Sequence, residues 1–136
     1  MKIACIIPSR YASTRLPGKP LRMIARETLV HRVYERAVLA KLPDIVIVAT
    51  DNEKIESEVK SFGGRVMMTS PDHPTGTDRL AEVAASLPDY DIVVNVQGDE
   101  PFINPDVIDS LAKMLAERDD LDMTTAAAPL KEDEYD

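Results

Sequence analysis

Short apolar runs alternate along the chain with longer segments in which apolar residues recur at helical spacing. Apolar runs of this length predict strands, and three of them are apolar on both faces, which is typical of a parallel sheet covered on both sides. Those three are the first, second and fourth runs. The five expected strands are IACII (3–7), IVIVA (45–49), RVMM (65–68), IVVNV (92–96) and DMTTAAA (122–128).

The segments between these runs predict helices. Thr28 is a suitable N-cap for the first, and the residues TDNE (50–53) form a capping box for the second. The pair Asn104-Pro105 supplies an N-cap followed by proline at the first helical position of the last. Helices are therefore expected at 29–41, from the capping box to the glycine pair 63–64, at 77–87 and from residue 105 onward.

This alternation of five βα-type units over 136 residues predicts one domain. Its expected fold is an open, doubly wound, mostly parallel α/β sheet of the Rossmann type. Right-handed crossovers favour the strand order 3-2-1-4. A sheet in this order has a switch point between strands 1 and 4, and ligands bind in the crevice at the carboxyl ends there. The loops that follow residues 7 and 96 are therefore expected to form the functional site.

Charge distinguishes the first of these two loops. The chain has a formal net charge of −8, yet its first 26 residues hold six basic side chains and no acid. The loop RYASTRLPGKPL lacks both GxxxxGK[ST] and GxGxxG. It instead places Arg10, Arg15 and Lys19 around a small-residue turn with Ser13, whose backbone N–H groups can wrap an oxyanion. Because surface charges are usually mixed in sign, this pattern favours an anion site over a solvated loop.

The second loop, QGDEP, brings carboxylates to the end of a buried strand. Asp99 and Glu100 are adjacent, so an extended backbone does not easily direct both into the crevice. One carboxylate, completed by phosphate oxygens and water, is the usual way in which a protein holds Mg²⁺. The same residues also suit a simple turn, and charge pattern alone leaves both interpretations open.

A third segment, TSPDHPTGTDR (69–79), is rich in hydroxyls, proline and glycine and leads into a predicted helix. A helix N-terminus preceded by glycine can hold an anion or contact the polar edge of a base. Simple capping by Thr75 or Thr77 explains the spacing equally well, so both alternatives stay open.

Other conspicuous residues point to ordinary structural roles. His31 and His73 have no second His or Cys at ligand spacing, which disfavours zinc and favours surface or satisfied histidines. Cys5 lies within the first apolar run and is expected to be a buried thiol. Arg22 and Arg26 are expected to be solvated.

Composition excludes several classes of partner. Aromatic residues make up 4% of the chain, Trp is absent and the pI is about 4.7, which argues against nucleic-acid binding. No apolar run approaches the roughly 18 residues that cross a bilayer, and no charged leader precedes the first strand. We therefore expect no nucleic-acid or membrane partner and a cytoplasmic location.

The motifs together resemble those of the CMP-Kdo synthetases, the 3-deoxy-manno-octulosonate cytidylyltransferases. The similar segments are IPSRYASTRLPGKPL, HRVYERA, VATDNEKI, MTSPDHPTGTDRLAEV and VVNVQGDEPFI, and they extend to about Pro129. A basic R-x-P-x-K loop after strand 1 is shared by many sugar-nucleotide nucleotidyltransferases, whereas TGTDR with NVQGDEP is typical of the Kdo enzymes. The resemblance implies a nucleotide-diphospho-sugar transferase-like fold. It also implies transfer of CMP from CTP to Kdo, giving CMP-Kdo and pyrophosphate for lipopolysaccharide synthesis in a Gram-negative bacterium.

The resemblance also implies roles for individual residues. The triphosphate of CTP would be held by Arg10, Ser13, Arg15 and Lys19. The cytidine would be recognised by Thr77, Arg79 and Gln97. Asp99 would bind Mg²⁺, and Glu100 would support the loop. Arg15, Lys19 and Asp99 are the expected catalytic residues, since nucleotidyl transfer depends on positioning and on neutralising charge around phosphorus.

Two departures from the family pattern qualify this expectation. Before the first helix the family usually has Gly-Lys-Pro, where this chain has Ala25-Arg26-Glu27-Thr28. Family members are also nearly twice as long, and their second half carries the sugar pocket and much of the homodimer contact. The chain is therefore expected to be the CTP-binding portion, residues 1–136, of a nucleotidyltransferase domain, without turnover of its own.

Two other functions remain possible from the sequence. One is a cytidylyltransferase for a related acidic sugar, such as 8-amino-Kdo or a sialic acid. The other is a non-catalytic nucleotide-binding or assembly module that pairs with a partner through the predicted strand at 122–128.

Overall fold

The computed structural model describes residues 2–10, 18–70 and 76–117, with only the backbone described at Gly76 and Thr77. The strands are β1 (Ile3–Pro8), β2 (Met23–Ile24), β3 (Glu27–Thr28), β4 (Ile45–Thr50), β5 (Arg65–Met68) and β6 (Ile92–Asn95). The helices are α1 (Leu29–Val38), α2 (Glu53–Ser61), α3 (Gly76–Ala85) and α4 (Pro105–Ala116), with a short 3₁₀ helix at Lys19–Leu21. The predicted strand at 122–128 lies outside the described residues.

The main sheet is parallel and has the order β5-β4-β1-β6. Numbered by the apolar runs, this is 3-2-1-4, so the predicted order is confirmed. β1 therefore lies between β4 and β6, and the carboxyl ends of β1 and β6 are neighbours: Ile6 pairs with Asn95 there. The switch point falls where the sequence places the basic loop opposite QGDEP.

The core lies on both faces of this sheet. Helices α1, α2 and α4 pack on one face, whereas α3 packs on the other. Successive residues of β1 alternate between the two sides: Cys5 and Ile7 belong to the three-helix core and Ile6 to the α3 core. Cys5 is a buried thiol, as predicted, and burial raises its pKa to about 12. Among the described residues, no helix is both long and apolar enough to cross a membrane.

The helix starts follow the predicted capping chemistry with one correction. Thr28 accepts a bond from the backbone N–H of His31 at 3.3 Å, and Asn104 accepts one from that of Asp106 at 2.9 Å. The capping box predicted at residues 50–53 is wrong, because the N-cap of α2 is Asn52, whose Oδ1 accepts bonds from the first turn. Thr50 instead ends β4, fully buried.

A small antiparallel hairpin, β2–β3, precedes α1 and was not predicted from the sequence. Its two-residue turn is Ala25-Arg26, with φ of 49° and 78°. Positive φ at both central positions is the twist that suits a two-residue hairpin, and glycine or asparagine usually supplies it. Alanine and arginine adopt this conformation at a cost, because Cβ approaches the backbone.

Replacing Arg26 by glycine should therefore stabilise the chain by about 0.5–1 kcal/mol. The measurement is the urea midpoint at unchanged m-value. Arg22→Gly is the matched control, since Arg22 is also exposed but has φ of −69°, where glycine relieves no strain and should destabilise. A midpoint for Arg26→Gly at or below that of the unchanged chain would contradict the strained turn.

Candidate functional site

A cavity of about 240 Å³ lies at the carboxyl ends of β1 and β6. Its walls come from the end of β1, the 3₁₀ helix, the start of α1 and the loop after β6. The lining residues are Pro8, Ser9, Arg10, Lys19, Pro20, Leu29, Gln97, Gly98 and Asp99. The two loops expected to border the site are therefore brought together, and Arg10, Lys19, Gln97 and Asp99 line one cavity.

Close packing of the two loops depends on Gly98. A Cβ atom at this position would lie 2.6 Å from the backbone oxygen of Pro8 and 3.2 Å from Oγ of Ser9. No side chain fits there without a shift of backbone, so glycine permits the loop after β6 to lie directly against the end of β1. This contact carries Gln97 and Asp99 into the cavity wall.

Lys19 and Asp99 face each other across this space. Lys19 Nζ lies 3.8 Å from Asp99 Oδ2, and their side chains are 44% and 47% exposed. An ion pair this exposed to water contributes little to stability, so exchanging it for a ligand costs the fold little. Lys19 is held in place locally: Gly18 takes φ of 75° before the 3₁₀ helix, and the next residue, Pro20, is buried.

The charges around the cavity suit an anion together with a cation. Arg10 and Lys19 supply two positive charges, and Asp99 supplies one carboxylate. A net positive wall in a chain of net charge −8 favours a polyanion such as a chain of phosphates. The carboxylate beside it offers the hard oxygen ligand that Mg²⁺ prefers.

Ser9 is a cavity residue that the sequence analysis missed. It is 2% exposed, and its Oγ has no hydrogen-bond partner among the described residues. Its backbone N–H donates to the oxygen of Ala49 at 2.8 Å, which continues the strand pairing one residue beyond β1. The apolar run ends at residue 7, so the strand pairing, and not the sequence, indicates that the hydroxyl of Ser9 is buried at the cavity wall.

Arg79 occupies a different environment from the cavity residues. Its side chain is fully buried on α3, where Nη1 donates to Thr69 Oγ1 and Nη2 lies 3.6 Å from Asp51 Oδ2. Thr69 and Asp51 follow the carboxyl ends of β5 and β4, so Arg79 ties α3 to the same edge of the sheet. Within the described part of the chain, Nε and Nη2 of this guanidinium have no hydrogen-bond partner.

Several predicted residues cannot be placed. Ser13, Arg15 and His73 lie outside the described residues, and so does the side chain of Thr77. Arg22 and Arg26 are exposed, as expected. His31 is half-buried and contacts two glutamates, which are described below.

The parallel sheet and the basic loop facing a carboxylate at its switch point define the fold of the nucleotidyltransferases. The solved structure of CMP:2-keto-3-deoxy-manno-octonic acid synthetase complexed with CTP is similar to this chain, with a TM-score of 0.83 and 44% identity. The similarity covers 86% of this chain and 48% of that one.

The family follows from the sequence match. The family model described as cytidylyltransferase matches residues 4–135, and the chain belongs to this family. It is 56% identical over 131 residues to the 3-deoxy-manno-octulosonate cytidylyltransferase of Geotalea daltonii, covering 96% of this chain and 51% of the relative. The enzyme of the same name from Leptospira interrogans is 48% identical over 129 residues, covering 95% and 52%. The resemblance to CMP-Kdo synthetases is confirmed, and the chain spans about half the length of these relatives.

Proposed function

We propose that this chain is the CTP-binding portion of an enzyme that transfers CMP from CTP to Kdo and releases pyrophosphate. The observation that carries the proposal is the cavity in which Arg10 and Lys19 face Asp99 at the switch point of the sheet. The solved relative that is 44% identical to this chain was determined with CTP. A triphosphate with a divalent cation is the ligand whose charges complement that wall.

The triphosphate contacts follow from position and charge. Arg10 and Lys19 line the cavity and would bind phosphate oxygens, with Arg15 and Ser13 from the intervening loop completing the site. The buried hydroxyl of Ser9 is placed to donate to an oxyanion or to the loop that carries Asp99. Lys19 and Arg15 would stabilise the charge that accumulates on the leaving pyrophosphate.

The cytidine contacts are assigned to the other side of the site. Gln97 lines the cavity and offers both a donor and an acceptor for the edge of a base. Arg79 and Thr77 would complete recognition from the start of α3. The support for Arg79 is its buried guanidinium, which keeps two nitrogens without a hydrogen-bond partner among the described residues.

Asp99 suits Mg²⁺ because it offers a hard oxygen ligand at a half-exposed position beside the proposed phosphates. When bound there, Mg²⁺ would neutralise phosphate oxygens and make the α-phosphorus more electrophilic. Lys19 would exchange its contact with Asp99 for the phosphates. The protein thus contributes positioning and charge, as nucleotidyl transfer requires.

In the reaction, the anomeric hydroxyl oxygen of Kdo bonds to the α-phosphorus of CTP and loses its proton to water. The bond from that phosphorus to the oxygen bridging to the β-phosphate breaks, and pyrophosphate leaves. We assign the sugar pocket and the homodimer contacts to the part of such an enzyme that this chain does not span. A cytoplasmic location and a place in lipopolysaccharide synthesis belong to the same proposal.

A chimera tests this function. Residues 4–129 of this chain would replace the matching segment of the Geotalea daltonii relative, and the product would be given CTP, Mg²⁺ and Kdo. We expect CMP-Kdo to form with Kdo, and none from the 136-residue chain alone. The unaltered relative is the control for the assay.

Two results would contradict the proposal. A chimera that folds and binds CTP but forms no CMP-Kdo would show that this segment does not support the transfer, because the sugar pocket comes from the relative. A chimera that folds without binding any nucleotide would favour a non-catalytic assembly module.

A further inference from the structure

A second group of polar side chains lies on α1, away from the cavity residues. Glu27, His31 and Glu35 are spaced four residues apart and therefore occupy one face of the helix and its approach. One candidate ligand atom from each of these residues can be chosen so that all three lie within 4.8 Å of one another. We propose that this group is a binding site for a divalent transition metal such as Ni²⁺ or Zn²⁺, distinct from the Mg²⁺ site proposed at Asp99.

Glu27 and His31 lie close enough together to bind one ion. Nδ1 of His31 lies 2.8 Å from Oε2 of Glu27, yet Oε2 has no hydrogen-bond partner among the described residues. With metal–ligand bonds of about 2.1 Å, the two atoms and the metal would form an angle of roughly 84°, which is nearer to the octahedral than to the tetrahedral value.

The third ligand comes from the exposed end of the group. Oε2 of Glu35 lies 4.0 Å from Nε2 of His31, and this side chain is 48% exposed. Because Nδ1 and Nε2 point in different directions, Glu35 must change rotamer to reach a metal held at Nδ1, and its exposure allows this without disturbing the core. One imidazole and two carboxylates form a mixed nitrogen and oxygen set, which suits the transition metals better than Mg²⁺.

The surrounding contacts hold His31 and Glu27 in place before a metal binds. The ring of His31 stacks on Phe62, with centroids 4.0 Å apart and planes within 5°. Nη1 of Arg32 lies 3.1 Å from Oε1 of Glu27 and 3.9 Å from Oε1 of Glu35. Arg32 is itself held by the backbone oxygens of Ile24 and Ala25. It thus contacts one oxygen of each glutamate and leaves Oε2 of both on the side of His31.

The charges permit a cation here. The two carboxylates outweigh the single charge of Arg32, so the group carries a net charge of −1 when His31 is neutral. Arg32 therefore weakens the electrostatic attraction for a dication but does not turn it into repulsion. A bound metal would tie Glu27 of the β2–β3 hairpin to α1, so it should also raise the melting temperature.

The test is calorimetric titration of the untagged chain with Ni²⁺ and with Zn²⁺, in excess Mg²⁺ to occupy sites made of carboxylates alone. We expect one saturable site and a higher melting temperature with the metal. His31→Gln should weaken binding at least about tenfold and abolish the increase in melting temperature. Glu35→Gln, at the most exposed ligand, should weaken binding while the chain remains folded.

His73→Gln is the matched control, because His73 is the other histidine of the chain and should leave binding unchanged. The proposal is overturned if no saturable binding of either metal occurs. It is also overturned if Glu35→Gln binds as tightly as the unchanged chain, or if His73→Gln loses as much affinity as His31→Gln.

Discussion

Replacing Arg10 and Lys19 together by alanine is expected to weaken the binding of Mg²⁺–CTP roughly 100-fold or more. Each side chain is placed at the cavity wall to make at least one charge-assisted hydrogen bond to phosphate. Such a bond contributes about 1.5–3 kcal/mol, so the loss of two gives this lower bound. The fold should lose little stability, because the ion pair between Lys19 and Asp99 is exposed and contributes about 0–1 kcal/mol.

The control for this variant keeps the same change of net charge. Arg22 and Arg26 belong to the same acid-free segment, are exposed and do not line the cavity. Arg22→Ala with Arg26→Ala should weaken CTP binding only slightly, through the loss of long-range attraction, and this small effect should decrease with salt. An equal loss of affinity in both double variants would mean that the overall charge of the segment, and not a formed site, attracts the nucleotide.

Gly98→Ala is expected to destabilise the chain by about 1–3 kcal/mol and to weaken CTP binding at the same time. The added methyl group would lie 2.6 Å from the backbone oxygen of Pro8, which cannot rotate away as a flexible side chain can. The loop after β6 must therefore move away from β1, and it carries Gln97 and Asp99 with it. Urea denaturation and calorimetric titration of the same preparation measure the two effects.

Gly63→Ala is the control, because it should lower stability without moving the residues that line the cavity. Gly63 has φ of 81° with open space around it, so alanine there costs about 1–2 kcal/mol through backbone strain alone. This variant should bind CTP as the unchanged chain does once it is folded. If Gly98→Ala also retains full affinity, then close contact between the two loops is not what builds the site.

The sequence predicts the sheet well because three of its four strands, β1, β4 and β6, are buried on both faces. Continuous apolar runs separated by capped helices leave few other arrangements, and right-handed crossovers then determine the strand order. The hairpin was not predicted, because it has neither a long apolar run nor a typical turn sequence. Its two strands have two residues each, and its turn uses Ala25-Arg26 where turn chemistry normally requires glycine or asparagine.

The cavity was predictable only in part. The absence of acidic residues from the first 26 positions indicated Arg10 and Lys19. The polar residues that follow a buried strand indicated Asp99. Ser9 was not predicted, because its hydroxyl is buried only by the strand pairing that continues one residue beyond β1. No local sequence pattern indicates that pairing. The group around His31 was not predicted, because a second His or Cys is the usual sequence sign of a zinc site, whereas the neighbours of His31 at this spacing are glutamates.

Calorimetric titration of the unchanged chain with CTP, UTP, ATP and GTP in the presence of Mg²⁺ tests the central claim most directly. The proposed site predicts saturable binding of CTP, weaker binding of the other three nucleotides, and loss of CTP binding in the variant that lacks Arg10 and Lys19. Equal affinity for all four nucleotides would contradict cytidine recognition by this chain. No binding of any nucleotide by the folded chain would contradict the assignment of the cavity as a triphosphate site.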